Sequence, residues 1–104
     1  MQPLHPRALT LSPKELLVLD LLTGERDLYG LQLVAASKGR LKRGTVYVTL
    51  GRMEEKGYIT STRENRPPSG GGLPRRVYRP TVLGRRVRRA WRSGATRLIP
   101  EFAQ

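Results

Sequence analysis

Hydrophobic positions recur with a helical period in the middle of the chain. There Lys42-Arg43-Gly44-Thr45-Val46-Tyr47-Val48-Thr49-Leu50-Gly51-Arg52-Met53-Glu54-Glu55-Lys56-Gly57-Tyr58-Ile59 carries Val46, Leu50 and Met53 at i, i+4 and i+7, the spacing of a buried helix face. Thr45, Val48, Thr49 and Arg52 cluster on a second face, and Glu54, Glu55 and Lys56 close the segment. The pattern predicts a helix over residues 43–56, stopped by Gly57 and followed by a strand. A helix seated in a major groove needs this division, with one side in the core and short polar, methyl-bearing and basic side chains toward base edges and phosphates. An ordinary amphipathic helix with a solvated outer face accounts for the same pattern, so the neighbouring elements decide its meaning.

Upstream, Ser12-Pro13-Lys14-Glu15 is a helix start, with Ser as N-cap, Pro at the first helical position and Glu placed to complete a capping box. The helix runs to about Leu22, and Leu16, Leu17, Val18 and Leu19 make it too apolar for a surface helix; Thr23-Gly24-Glu25 stops it. A short second helix is expected from about Tyr29 to Ser37, with Leu31, Val34 and Ala35 on one face and Lys38-Gly39 supplying the C-terminal glycine. Two short helices leading into a recognition-type helix make a helix-turn-helix core.

Downstream, Ile59 to Glu64 is rich in β-branched residues and reads as a half-solvated strand, with Arg75 to Arg79 as its return. The segment between them, residues 65–74, holds three consecutive glycines and three prolines and forms neither helix nor regular strand. A hairpin with a long tip and basic edges is a wing, the element that reaches the sugar-phosphate backbone or minor groove beside a recognition helix. A plain surface loop is the bland alternative. A nucleotide-binding loop is a weak reading, because Ser69-Gly70-Gly71-Gly72 leads into Leu73-Pro74 and a strand, with no lysine-bearing helix.

Thr81 caps a last helix, expected from Val82 to about Ile99 before Pro100 ends it. Leu83, Val87, Ala90, Trp91, Ala95 and Leu98 form its apolar stripe, and arginines cover the rest. The stripe can lie against the first helix of the same chain. The preferred reading is that it pairs with a second copy across a two-fold axis, because a helix appended to a complete winged helix has little core left to cover. The arginine run is read as a solvated face.

Composition narrows the choice of partner. The chain has 104 residues, room for one domain, and 20 Lys and Arg against 8 Asp and Glu give a net charge of +12. A charge that large on so short a chain points to a polyanion, without choosing between DNA and RNA. There is no cysteine, hence no thiolate metal site and no thiol nucleophile, and the one histidine, His5, sits between prolines near the N-terminus. No apolar run approaches the roughly 18 residues of a membrane helix, and no signal-peptide core is seen, so a cytoplasmic location is expected, in a prokaryotic cytoplasm or nucleoid. Neither metal nor cofactor is expected. With so little acid-base or nucleophilic chemistry available, an enzyme is the least favoured class.

Taken as a set and in order, several motifs resemble the PadR-like transcriptional regulators. They are Tyr29-Gly30 with Leu33, then Gly44-Thr45-Val46-Tyr47 with Leu50, Arg52, Met53 and Glu54, then Gly57-Tyr58-Ile59, and finally Arg76-Val77-Tyr78-Arg79-Pro80-Thr81 with Gly84. The resemblance covers about residues 11–97. It implies a winged helix with a C-terminal dimerisation helix, a two-fold dimer, and binding to a pseudo-palindromic operator, usually as a repressor. Pro80 stands where the family more often has leucine, which suggests an edge-strand end making no ladder bond there. With one C-terminal helix the chain resembles the short form of the family, lacking a larger helical effector domain.

The expected architecture is therefore mainly α with a small β-hairpin: a flexible segment over 1–10, a winged helix-turn-helix over 11–80, and a dimerisation helix and tail over 81–104. Thr45, Val48, Thr49 and Arg52 are expected to face the major groove. Lys42 and Arg43 are expected to meet phosphates at the helix N-terminus, and Arg63, Arg66, Arg75 and Arg76 to serve the wing. Tyr47 matches a family position near the DNA backbone, and a half-buried core tyrosine is an equal reading. Leu83, Val87, Ala90, Trp91, Ala95 and Leu98 are the candidate dimer interface. Trp91 is also a candidate effector contact for a small hydrophobic molecule, since related multidrug-responsive regulators use a tryptophan on the last helix in that way. Two rivals remain, an RNA-binding or non-specific nucleoid-type basic protein and a winged-helix protein-protein adaptor. The first would interleave aromatics on exposed strands, where only Tyr78 is expected; the second would lack Lys42, Arg43 and Arg52.

Overall fold

Ser12 and Glu15 cap the first helix reciprocally: the Glu15 amide donates to the Ser12 hydroxyl at 3.2 Å, and the Ser12 amide to the Glu15 carboxylate at 2.8 Å. This is the capping box expected from the sequence. The structure is a computed structural model that describes residues 10–24, 27–64 and 75–94. In chain order its elements are α1 (Pro13–Gly24), β1 (Leu28–Tyr29), α2 (Gly30–Ala36), α3 (Val46–Glu55), β2 (Ile59–Glu64), β3 (Arg75–Pro80) and α4 (Val82–Ser93). The glycine-rich tip with Arg66, the first nine residues with His5, and Ala95 and Leu98 lie outside the described residues.

The apolar density of α1 has a simple cause. It lies against α2, α3, α4 and β3, and Leu17, Val18, Leu19 and Leu22 are buried among them. From α3 come Val46, Leu50 and Met53, all essentially inaccessible to solvent, which is the stripe read from the sequence. Between α2 and α3 the Ser37 hydroxyl donates to the Val34 carbonyl and accepts from the Leu41 amide, while Gly39 takes a left-handed φ of 91°.

Glu15 does more than cap α1. Both of its carboxylate oxygens meet the Lys56 ammonium, at 2.9 and 3.0 Å, and Lys56 donates as well to the Thr10 carbonyl. Lys56 is the C-cap of α3, so one carboxylate ties the start of α1 to the end of α3. Tyr58 follows, fully buried, its hydroxyl donating to the Thr10 carbonyl at 2.9 Å. Burial and the Glu15 charge push its phenol well above the ordinary value, which keeps it a neutral donor.

The sheet has three antiparallel strands in the order β1-β3-β2, one more than expected. Leu28 and Tyr29 pair with Tyr78 and Val77, a two-residue strand too short to show an alternating pattern. Tyr29 therefore belongs to β1 and α2 begins at Gly30, so Tyr78 is not the only aromatic residue on a strand. Pro80 ends the central strand rather than an edge strand. It lies opposite Ile59, beyond the two pairs that β1 contributes, where a missing N–H leaves the ladder intact.

The largest departure concerns α4. Its Thr81 cap is as expected, accepting from the Gly84 amide at 3.0 Å. The helix ends at Ser93, however, with Gly94 in the left-handed conformation at φ 72°, not near Ile99. Leu83, Val87 and Ala90, expected at a dimer interface, face the chain's own core: Val87 and Ala90 are buried and Leu83 packs on the same cluster. α4 approaches so closely because residue 84 is glycine; a Cβ there would strike the Tyr58 carbonyl oxygen and crowd Leu19. Asp20 of α1 completes the seam, accepting from Arg88 at 2.7 Å and also pairing with Arg92.

Lys56→Ala should lower the unfolding free energy by roughly 3–5 kcal/mol, because the nearly inaccessible Glu15 carboxylate would be left uncompensated. Denaturant unfolding with an unchanged m-value checks this; a loss under about 1 kcal/mol would mean that the pair behaves as a surface salt bridge.

Candidate nucleic-acid interface

Rotation of α3 about its axis, fixed by its buried stripe, decides which side chains point away from the body. Tyr47, Val48, Gly51 and Arg52 are exposed, and Val48 retains 60% of its accessible surface. Thr49 is a correction, for it is buried at 9% exposure. One turn from Val46 and from Met53, it falls on the margin of the core face. It forms part of a groove lined by Thr45, Val48, Thr49 and Arg52 of α3 and by Ser12, Pro13 and Lys14 at the start of α1. Lys14 thereby lines the same groove as Arg52, which the sequence reading did not include.

The helix is also shorter than expected at its start. Residues 43–45 form a turn, and α3 begins at Val46 with Thr45 as N-cap. Lys42 and Arg43 are exposed in that approach, just ahead of the positive end of the helix dipole. The Thr45 side chain makes no capping hydrogen bond to α3.

Tyr47 is half exposed and half packed, one side of its ring closing over Gly30 at the start of α2. A Cβ at residue 30 would stand 2.5 Å from the outer end of the ring, so any larger residue there displaces Tyr47. Tyr29 assists from the strand side, its amide donating to the Gln32 side chain at 3.0 Å.

Of the hairpin arginines, Arg63 and Arg76 stand directly opposite one another in the β2–β3 register. Like charges so placed repel. By strand alternation they lie on the sheet face of Ile59, Ser61 and Tyr78, the face turned toward the helices. Arg76 donates to the Ser61 hydroxyl, which donates to Glu54 of α3 at 2.7 Å. Glu54 thus links α3 to the hairpin. Arg75 lies 4.5 Å over the Tyr29 ring, which fixes it toward β1.

Three acids are committed to ion pairs between elements. Glu15 holds Lys56, Asp20 holds Arg88 and Arg92, and Asp27 holds Arg79. Among the described residues none of Lys14, Lys42, Arg43, Arg52 or Arg63 is ion-paired. Nor is there a cluster of three or more potential metal ligands among them, and no described helix is long and apolar enough to cross a membrane.

Residues 18–90 match the family model described as the transcriptional regulator PadR-like family. The chain belongs to the PadR-like family. Three solved PadR-family structures are similar to it. A PadR family transcription regulator from hypervirulent Clostridium difficile R20291 is 27% identical, with a TM-score of 0.66 over 86% of this chain and 96% of that one. A PadR family regulator from Eggerthella lenta DSM 2243 is 31% identical, with a TM-score of 0.64 over 80% and 71% of the two chains. Bacillus subtilis PadR, solved with operator DNA, is 19% identical with a TM-score of 0.68 over 79% of this chain and 48% of that one, a likeness of fold. No curated protein matches the chain. It is thus a winged-helix transcriptional regulator of the DNA-binding PadR-like family and not an enzyme.

Two of the PadR motif positions gain a physical meaning from the contacts. Gly30 makes room for Tyr47, and Gly84 makes room for the Tyr58 backbone. Gly30→Ala should therefore cost about 1–3 kcal/mol of stability by overpacking. Most of that loss should vanish in a Tyr47→Ala background, measured by a double-mutant cycle; additive effects would show that the ring does not rest on Gly30.

Proposed function

We propose that this PadR-family chain acts as a homodimeric repressor that reads a pseudo-palindromic operator in a prokaryotic cytoplasm or nucleoid. The observation that carries the reading is the distribution of charge. Lys14, Lys42, Arg43, Arg52 and Arg63 have no acid partner among the described residues, whereas Glu15, Asp20 and Asp27 are committed to ion pairs between elements. Cations left in this way are available to phosphates, whose contacts position a protein on the duplex.

Base readout falls to the outward face of α3. Arg52 is placed to donate to guanine O6 and N7, Val48 to touch thymine methyl groups, and Thr45 to contact the edge nearest the helix start. Thr49, being buried, holds the floor of the groove and is withdrawn from the readout set. Lys42 and Arg43 meet the backbone before α3, Tyr47 lies against it, and Arg63 and Arg76 follow it along the wing; Arg66, outside the described residues, is a further wing candidate. Arg75, held over Tyr29, has the weaker claim. The DNA complex of Bacillus subtilis PadR, which shares this fold, supports the choice of partner.

The dimer seam is smaller than the sequence suggested, since Leu83, Val87 and Ala90 are consumed within the chain. It is assigned to Trp91, which keeps 38% of its surface exposed, together with Ala95 and Leu98. Trp91 is also the residue suited to stack on a small hydrophobic effector at that seam.

Binding is tested by comparing the duplex upstream of the protein's own gene with random duplex and structured RNA across salt concentrations. The expected result is a preference for one duplex that persists at moderate salt, and Arg52→Ala should reduce it by roughly 1–3 kcal/mol. Equal affinity for all three nucleic acids would exclude operator recognition. Sedimentation tests the seam: Trp91→Asp should give monomers, and an unchanged dimer would place the interface elsewhere.

A further inference from the structure

We propose that Gly51 is the point of closest approach between this chain and the double helix, a specificity-determining position where bare helix backbone seats against DNA. The inference rests on the reading of α3 as the helix that faces DNA. Gly51 lies well inside a ten-residue helix, where glycine is less favourable than any residue except proline. A fold has three common reasons to keep a glycine: a left-handed φ, a neighbour too close for a Cβ, or a helix end.

None of them applies at Gly51. The described glycines with positive φ are Gly39, Gly57 and Gly94. A Cβ at residue 51 would meet nothing within 4 Å, whereas at Gly30 or Gly84 it would collide. The helix continues for another turn, to Glu55. The reason for glycine therefore lies outside the described fold.

Its position says what that reason is. Tyr47 and Glu55 lie four residues to either side and Val48 three residues before, so they are its surface neighbours, with Arg52 next to it in sequence. All four are exposed. Val46, Leu50 and Met53 occupy the opposite, buried side. Gly51 thus stands near the middle of the outward face, framed by the side chains assigned to base and backbone contacts. Without a Cβ the helix sits deeper in the major groove, and Val48 and Arg52 need less reach to meet base edges. Glu55, one turn further on, is repelled by phosphate and tilts the C-terminal end of α3 outward, so the contact spans Thr45 to Arg52.

The full-length wild type, Gly51→Ala, Gly51→Gln and Arg52→Ala are compared on the duplex that the wild type enriches from a randomised pool. Thermal unfolding and sedimentation are measured in parallel. Gly51→Ala should raise Tm by about 4–8 °C, since the helix gains a better former. Gly51→Gln should keep the fold yet bind the enriched duplex about tenfold more weakly or worse, with Gly51→Ala between it and the wild type. Wild-type binding by Gly51→Gln, alongside weakened binding by Arg52→Ala, would overturn this inference and leave the DNA-facing helix standing. Unchanged binding by both, or no enriched duplex, would overturn the two together. A lowered Tm for Gly51→Ala would return the reason for glycine to the fold. Altered sedimentation of Gly51→Gln without altered binding would assign it to contact between copies; either result overturns the proposal.

Discussion

The seating of α3 against α1 depends on one buried carboxylate. Glu15 closes the cap of α1 and holds Lys56 at the end of α3, so the two helices cannot rotate independently without exposing or orphaning a charge. Removing a carboxylate from water is costly unless its lone pairs are met, and here the Ser12 amide and the Lys56 ammonium meet them. Because Lys56 leads directly into Gly57, Tyr58 and β2, the same contact fixes where the hairpin leaves the body. Tyr58 extends the arrangement to α4, whose close approach is permitted by Gly84.

From this frame the charge distribution follows. Each described ion pair joins separate parts of the chain: α1 to the end of α3, α1 to α4, and the approach to β1 to β3. The cations outside these pairs include Lys14, Lys42, Arg43 and Arg52 around α3 and Arg63 and Arg76 on the hairpin, while Arg85, Arg86 and Arg89 remain exposed on α4. Opposed arginines at positions 63 and 76 destabilise an isolated hairpin. They become favourable beside a phosphate backbone, where each neutralised phosphate releases counterions.

The helices and the hairpin were legible in the sequence because their signals are local. Ser12, Pro13 and Glu15 mark a start, Val46, Leu50 and Met53 mark a face, and the β-branched run from Ile59 marks a strand. β1 was not legible, because two residues carry no period and its existence depends on β3 being available to pair. The use of Leu83, Val87 and Ala90 inside the chain was equally hidden. An apolar stripe declares that it will be covered, but not by what; the close approach of Gly84 to the Tyr58 carbonyl and the pairing of Asp20 with Arg88 show α4 folded back on its own domain. For the candidate interface, Arg52 and Val48 could be placed by the wheel alone. Thr49 could not, since a residue on the margin of a face is decided by what packs beside it, here the start of α1 with Lys14. Tyr47 needed Gly30, which is distant in sequence and silent about its partner.

The most direct measurement of the central claim is an amide and side-chain NMR titration of the labelled chain with its enriched duplex. The account predicts the largest shifts at Lys42 to Val48, Gly51, Arg52 and Lys14, with smaller ones along Arg63 and Arg76, and little change at Leu83, Val87 and Ala90. Shifts confined to α4, or spread evenly over every exposed arginine, would contradict it, because the duplex would then be held by charge alone and α3 would not be reading it.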